Sequence, residues 1–124
     1  MSGNIPKNIL VVDDDPYYCG ELVSAILRAG YRTSMAGNTQ DALLLLTGPQ
    51  RFDLVFLDVG SPDMSARGLL TSIQEEMIST PVFTVAAPSD KVFIIDMLRK
   101  GHKRFIEHYM MSAAAGTRTP GRAG

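Results

Sequence analysis

The sequence predicts an α/β fold: a doubly wound parallel sheet of five strands alternating with helices. Three observations carry that expectation. Residues 8–13 (NILVVD), 53–58 (DLVFLD) and 82–87 (VFTVAA) are short continuous apolar runs, the mark of strands covered on both faces. Helix-length apolar stripes with their own caps lie between those runs. The regular alternation of the two kinds of segment implies βαβ units with right-handed crossovers.

Taken in order, the first strand is followed by Asp15-Pro16, a cap and a first-turn proline. Leu22, Val23, Ile26 and Leu27 then form a stripe, and Gly30 stands where a helix end favours a left-handed residue. Tyr31, Thr33 and Met35 alternate with polar neighbours as a second strand, after which Asn38 caps a helix carrying Ala42, Leu43, Leu45 and Leu46. The third strand, 53–58, ends at Gly60-Ser61-Pro62. Ser65 caps a helix through Leu69, Leu70, Ile73 and Met77, and Pro81 closes it before the fourth strand. Ser89 is the expected cap of a helix through Val92, Ile95, Met97 and Leu98, stopped by Gly101. Residues 104–108 carry more charge and suit a fifth strand at the sheet edge. Residues 110–124 are small, Gly-rich and mildly basic. They read as a flexible Ala/Gly-rich tail beyond a domain at 1–109, with a short helix over 109–115 as the alternative.

The chain has 124 residues, a size for one core, and a net charge of -1, without the basic excess of direct nucleic-acid binders. No apolar run approaches a membrane span and the N-terminus lacks a signal-peptide layout, so a cytoplasmic protein is expected. Cys19 is the single cysteine and reads as a small residue on a helix.

The chemistry gathers where the strands end. Asp13, Asp14 and Asp15 close the first strand and Asp58 closes the third, on the side where such sheets bind ligands. Asp15 is accounted for as a helix cap. If the first and third strands are neighbours, Asp13, Asp14 and Asp58 converge, and at about 5 Å and an effective dielectric near 20 each pair repels by roughly 3 kcal/mol. A hard divalent cation resolves this: carboxylates with a loop carbonyl, here that of Gly60, suit Mg²⁺. A metal-held carboxylate can act as a nucleophile toward phosphorus.

The blocks ILVVDDDP, DLVFLDVGSPDM followed by GLL, STPVFTVAA and LRKGHKRFIEH make the chain resemble the response-regulator receiver (CheY-like) family over about residues 8–109. The resemblance implies the flavodoxin-like strand order 2-1-3-4-5. It also implies Asp58 as phosphoacceptor, Asp14 as a direct Mg²⁺ ligand, Asp13 as a ligand mostly through water, and the Gly60 carbonyl as the remaining protein ligand. A histidine kinase or phosphotransfer protein is the implied partner.

The sequence departs from the family at the switch positions. Ala86 stands where a Thr or Ser hydroxyl is expected, and Thr84, two residues back, lies about 6.6 Å further down a strand. His108-Tyr109 replaces the Lys-Pro of the fifth strand's end, and a histidine is shorter and only partly charged near neutrality. Lys91 and Lys103 are expected to lie away from that strand end. Phe105 matches the aromatic switch position, but without a hydroxyl to lead it reads as edge packing, and output switching is expected to be impaired. Ala66 replaces a glycine, a burden only if φ is positive there.

The sequence shows no amphipathic fifth helix, so part of one sheet face is expected to be bare. That face and the last strand would support a homodimer, or a partner would cover them. The leading expectation is a phosphoacceptor receiver module whose output passes through protein contact. The alternative is a pseudo-receiver that docks partners independently of phosphate. A hydrolase using Asp58 would need a second acid two residues on, where Gly60 stands, so the chain is not expected to be an enzyme.

Overall fold

In the computed structural model of the chain, residues 6–62 and 64–114 are described. The elements run β1 (Asn8–Val12), α1 (Pro16–Arg28), β2 (Arg32–Ala36), α2 (Thr39–Thr47), β3 (Leu54–Asp58), α3 (Ala66–Glu75), β4 (Val82–Val85), α4 (Pro88–Arg99) and α5 (Arg104–Ala114). The strands form a parallel sheet of order β2-β1-β3-β4. β1 and β3 are buried along their whole length, as their unbroken apolar runs require.

The caps follow local chemistry. The Asp15 carboxylate accepts from the Tyr17 and Tyr18 amides, Asn38 from Asp41, and Ser65 from Gly68. α4 starts earlier than expected, at Pro88 with Ala87 as its cap residue, so Ser89 lies inside the helix. The Asp90 carboxylate reaches back to the Ala87 amide at 3.2 Å. Ala66 opens α3 as an ordinary helical residue, and Met77 is the only non-glycine at positive φ among the described residues.

The fifth strand is the main correction. Residues 104–108 are helical and form the first half of α5, so the described sheet has four strands. The reason lies in the side-chain spacing. Phe105, Ile106, Tyr109 and Met110 recur at helical intervals, and in α5 they turn to one side, with Ile106 fully buried and Met110 nearly so. The boundary expected at residue 109 therefore falls inside a helix, which continues to Ala114. Residues 115–124 of the expected tail lie outside the described residues.

With no fifth strand to reach among the described residues, α4 is not a crossover there, and the handedness rule that would place it beside α2 and α3 does not bind it. It returns to the face of α1. Leu22, Ala25 and Ile26 of α1 share one core with Ile94, Ile95 and Leu98 of α4 and with Ile106 and Met110 of α5. Leu10, Val12, Val55 and Leu57 of the sheet make the other core with α2 and α3. The face expected to be bare for want of a fifth helix is thus covered, among the described residues, by α4 and α5.

α5 also guards the β4 edge. The Tyr109 hydroxyl donates to the Val82 carbonyl at 2.9 Å, and the Phe83 ring stacks edge-on against Phe105 and Tyr109. Phe105 is therefore a packing residue on a helix, and His108 sits exposed on the same helix rather than at a strand end.

Candidate functional site: a carboxylate cluster held by Lys91

Register builds the site. Val12 of β1 is paired with Leu57 of β3, so the next residues, Asp13 and Asp58, emerge side by side at the carboxyl end of the sheet. Asp14 follows on the loop into α1. One carboxylate oxygen from each of Asp13, Asp14 and Asp58 lies within 4.8 Å of the others. Asp13 and Asp58 are each only 5% exposed, whereas Asp14 faces solvent. The convergence expected from the sequence is therefore present.

Each carboxylate is oriented by a local donor. The Asp15 amide donates to Asp13 Oδ1 at 2.9 Å and the Gly60 amide to Asp58 Oδ1 at 2.8 Å. The Ser61 hydroxyl donates to Asp14 Oδ2 at 2.6 Å, which ties the loop after β3 to the loop after β1. Gly60 has a second reason to be glycine: a Cβ there would run into the Ala86 carbonyl oxygen just past β4. Ala86 is exposed at that point, so its methyl presents no hydroxyl to the site.

The cation that meets Asp58 is Lys91. From α4, its Nζ lies 2.8 Å from Asp13 Oδ2 and 3.3 Å from Asp58 Oδ2. The side chain is 9% exposed, and the ammonium also stands 5.1 Å from the centre of the Tyr18 ring. This overturns the expectation that Lys91 lies away from the site: α4 packs on the α1 face and brings its first turns to the carboxyl ends of β1 and β3. Lys103 does lie elsewhere, donating to the Ala29 carbonyl. Among the described residues, no hydrogen bond or ion pair links His108 to the carboxylates.

Burial lifts the Asp13 carboxyl above its usual range, with the Asp58 charge adding to the rise. The Lys91 bond, the Asp15 amide and the Lys91 charge oppose it. Burial pulls the Lys91 ammonium the other way, but the bonds and charges of Asp13 and Asp58 outweigh it, so Lys91 is held charged above the ordinary lysine value. Beneath the cluster, burial and the Asp13 charge push the Cys19 thiol up to about 11, which makes it an inert packing group.

The donor set fits a hard divalent cation. It consists of carboxylate oxygens from separate segments, two buried and one facing water, at mutual distances a small ion can span. A cleft of about 650 Å³ opens at the other end of the strands between Arg51, Asp53, Thr80 and Pro81, away from the carboxylate cluster and with Asp53 as the one carboxylate in its lining.

Lys91 is the residue of the cluster that the sequence reading misses, although a signal is present. Positions 91, 94, 95 and 98 form the buried stripe of α4, and a lysine in line with Ile94, Ile95 and Leu98 marks a buried cation. Ser61 carried no such signal.

The response regulator receiver domain model matches residues 9–113. The two-component response regulator ARR10 of Arabidopsis thaliana is 34% identical over 98 residues, 78% of this chain and 18% of the relative. The probable transcriptional regulatory protein TcrX of Mycobacterium tuberculosis is 39% identical over 83 residues, 66% of this chain and 35% of the relative. The chain thus spans about a third or less of the length of these relatives. Among solved structures, a CheY-like receiver domain protein from Methanospirillum hungatei JF-1 superposes with a TM-score of 0.68 at 18% identity, covering 91% of this chain and all of that one. The chemotaxis response regulator CheY4 of Vibrio cholerae gives 0.63 at 19% identity, covering 81% and 98%. No helix among the described residues is long and apolar enough to cross a membrane. On the extent of the family match and the shared fold, the chain belongs to the response regulator receiver domain family.

Proposed function

We propose that the chain is a cytoplasmic phosphoacceptor module of two-component signalling, phosphorylated on Asp58 in a Mg²⁺-dependent reaction, with output switching impaired at Ala86. The observation that carries the reading is the convergence of Asp13, Asp14 and Asp58 at the carboxyl ends of β1 and β3, with a buried ammonium beside them. Asp13, Asp14, Asp58 and the Gly60 carbonyl would hold Mg²⁺, which when bound neutralises the charge gathering on the phosphoryl oxygens.

This chain's own groups do the rest. The Gly60 amide fixes the Asp58 carboxylate through Oδ1, and Lys91 offers positive charge on the Oδ2 side. An Asp58 oxygen forms the new bond to phosphorus, and the bond from phosphorus to the donor's nitrogen or oxygen breaks with its electron pair leaving on the donor. The donor is a phosphorylated histidine of a kinase or phosphotransfer protein. The module works as a signalling element, not as an enzyme with a substrate of its own.

A second reading, phosphate-independent docking, is favoured by one observation: Lys91 already pairs with both Asp13 and Asp58 and offsets one of their two charges. Incubation with Mg²⁺ and a small phosphoryl donor, followed by intact mass, separates the two. A gain of one phosphoryl that is lost in Asp58→Asn supports the phosphoacceptor. No gain at any Mg²⁺ concentration supports docking alone.

A further inference from the structure

The end of the sheet opposite the carboxylates is basic, which the net charge of -1 conceals. The Arg32 amide donates to the Lys7 carbonyl at 2.9 Å and the Asn8 side-chain amide to the Arg51 carbonyl at 2.8 Å, so Arg32, Lys7 and Arg51 stand in a row where β2, β1 and β3 begin. Lys103 donates to the Ala29 carbonyl and holds the run 99–104 against the end of α1, beside Arg28. Every lysine and arginine among the described residues except Arg67 and Lys91 belongs to this end. Of its acids, Asp53, Asp96 and Glu107 are engaged by Arg51, Lys100 and the Tyr31 hydroxyl. That leaves Glu75 and Glu76 at the close of α3 against Lys7, Arg28, Arg32 and Arg104, which are exposed and form no ion pair among the described residues.

The cleft beside Asp53 opens in this same end. Lys7 and Arg51 stand in its wall, Leu46, Ile78 and Met110 give it an apolar lining, and Met77 adds to that lining. Met77 lies just past α3, where the Ile78 amide returns to the Ile73 carbonyl at 3.0 Å, a closure that favours glycine. Its φ is 55° and it is 88% exposed, so it carries the strain of a left-handed residue without contributing to the core. Asn8, bonded to both Arg51 and Asp53, keeps a buried Oδ1 with no hydrogen-bond partner among the described residues. Strained backbone and unpaired buried polar atoms gather where a chain is built to bind.

From this face we infer that the starting ends of the strands are a docking surface for an acidic peptide segment of a partner protein. Its carboxylates meet Lys7, Arg32 and Arg51, and an apolar side chain enters the cleft beside Met77, whose unbranched thioether adapts to it. The counter-charge is not this chain's own: residues 1–5 and 115–124 contain no acidic side chain, and 115–124 add Arg118 and Arg122. A single-stranded nucleic acid would need exposed aromatic rings to stack on, and Tyr31 and Phe52 at this end are buried. A membrane surface would need one continuous apolar face, and the exposed Met77 and Leu27 belong to separate elements. The surface uses neither Mg²⁺ nor a phosphoryl group, so it holds on either reading of the carboxylate site.

The test is amide NMR of the full chain titrated with the synthetic peptide Asp-Glu-Glu-Leu-Asp-Glu-Glu, without Mg²⁺, beside the same peptide with serine in place of leucine. The leucine peptide is expected to shift the amides of Lys7, Arg32, Arg51 and Ile78 while those of Gly60 and Ser61 stay still, and to bind more weakly as salt rises. The double variant Lys7→Gln, Arg51→Gln should bind it about tenfold more weakly, the loss of two exposed ion pairs. Met77→Gly, which suits the positive φ and so keeps the fold, should weaken the leucine peptide and leave the serine peptide unchanged. An absent response, shifts at the carboxyl ends of the strands instead, or undiminished binding by the double variant overturns the inference. Tighter binding of a DNA duplex or of phosphatidylserine vesicles than of the peptide also overturns it, as does a light-scattering mass that doubles without peptide in the parent alone, which assigns the surface to a second copy. Phosphoryl uptake on Asp58 has no bearing on any of these outcomes, so the two proposals fail separately.

Discussion

At the residue scale, the site sets function against stability in a way substitutions can separate. Asp13 and Asp58 share one ammonium, so one of the two negative charges is in excess. Asp58→Asn removes that excess and leaves the Lys91–Asp13 pair intact. It is expected to abolish phosphoryl uptake while its urea midpoint stays at or above that of the parent. Lys91→Met does the reverse, stranding two buried carboxylates, and should lose about 3–5 kcal/mol in urea titration. Gly60→Ala tests packing at the same spot: its Cβ meets the Ala86 carbonyl, and the backbone shift needed to relieve it should cost about 1–3 kcal/mol. A Gly60→Ala variant with the parent's midpoint would show that the loop after β3 gives way freely. The carboxylates were legible in the sequence because acidic residues at the ends of apolar runs have few other reasons to be there. Their partner was not, because which lysine reaches them depends on which face a helix takes, and that is decided by topology rather than by neighbours in the chain.

At the element scale, the elements that could be read were those with one dominant signal. β1 and β3 are unbroken apolar runs, and α1, α2 and α3 carry the caps their sequences announce. α5 is hard to read because charge at 104, 107 and 108 suggests an edge strand, while a boundary at residue 109 splits the stripe Phe105, Ile106, Tyr109, Met110. α4 was assigned its stripe one residue out of phase, on Val92, which is exposed, rather than on Lys91, which is buried. The role of α5 as cover can be measured. Ile106→Ala should lose about 2–5 kcal/mol, as expected for a fully buried aliphatic side chain. Tyr109→Phe should lose about 1 kcal/mol by leaving the Val82 carbonyl without its donor. If Ile106→Ala unfolds at the parent's urea concentration, α5 contributes nothing to the fold.

At the scale of the whole molecule, the four-stranded sheet of the described residues goes with a rearranged helix layer. Two helices after β4 return to the α1 face, close its core and deliver Lys91 to the carboxylates. Stability and site chemistry therefore depend on the same helix, and both are exposed to alkaline pH. Three buried groups and the half-buried Tyr109 hold their protons more tightly in the folded chain than in the unfolded one. Burial raises the Cys19 thiol from 9.0 to about 11 and the Tyr109 phenol from 10.0 to about 12. Tyr31 is raised further, by burial and then by the charge and hydrogen bond of Glu107, while Lys91 is raised because its two carboxylates outweigh burial. For each group the folded chain keeps a proton that the unfolded chain has already released, so the unfolded state binds fewer protons and stability falls as pH rises. These contributions are complete below the unfolded values. They are lost first through Cys19 from about pH 9, then through the tyrosines from about pH 10, and then through Lys91 above its unfolded value of 10.5. The urea midpoint, measured at one-unit steps from about pH 8 to about pH 11, should hold steady at first and then drop with increasing slope. Tyr109→Phe should lie below the parent at neutral pH and converge toward it as the phenol's share is lost, whereas a parent midpoint that is flat across the whole range would mean that these groups are solvated and α5 does not seal the core.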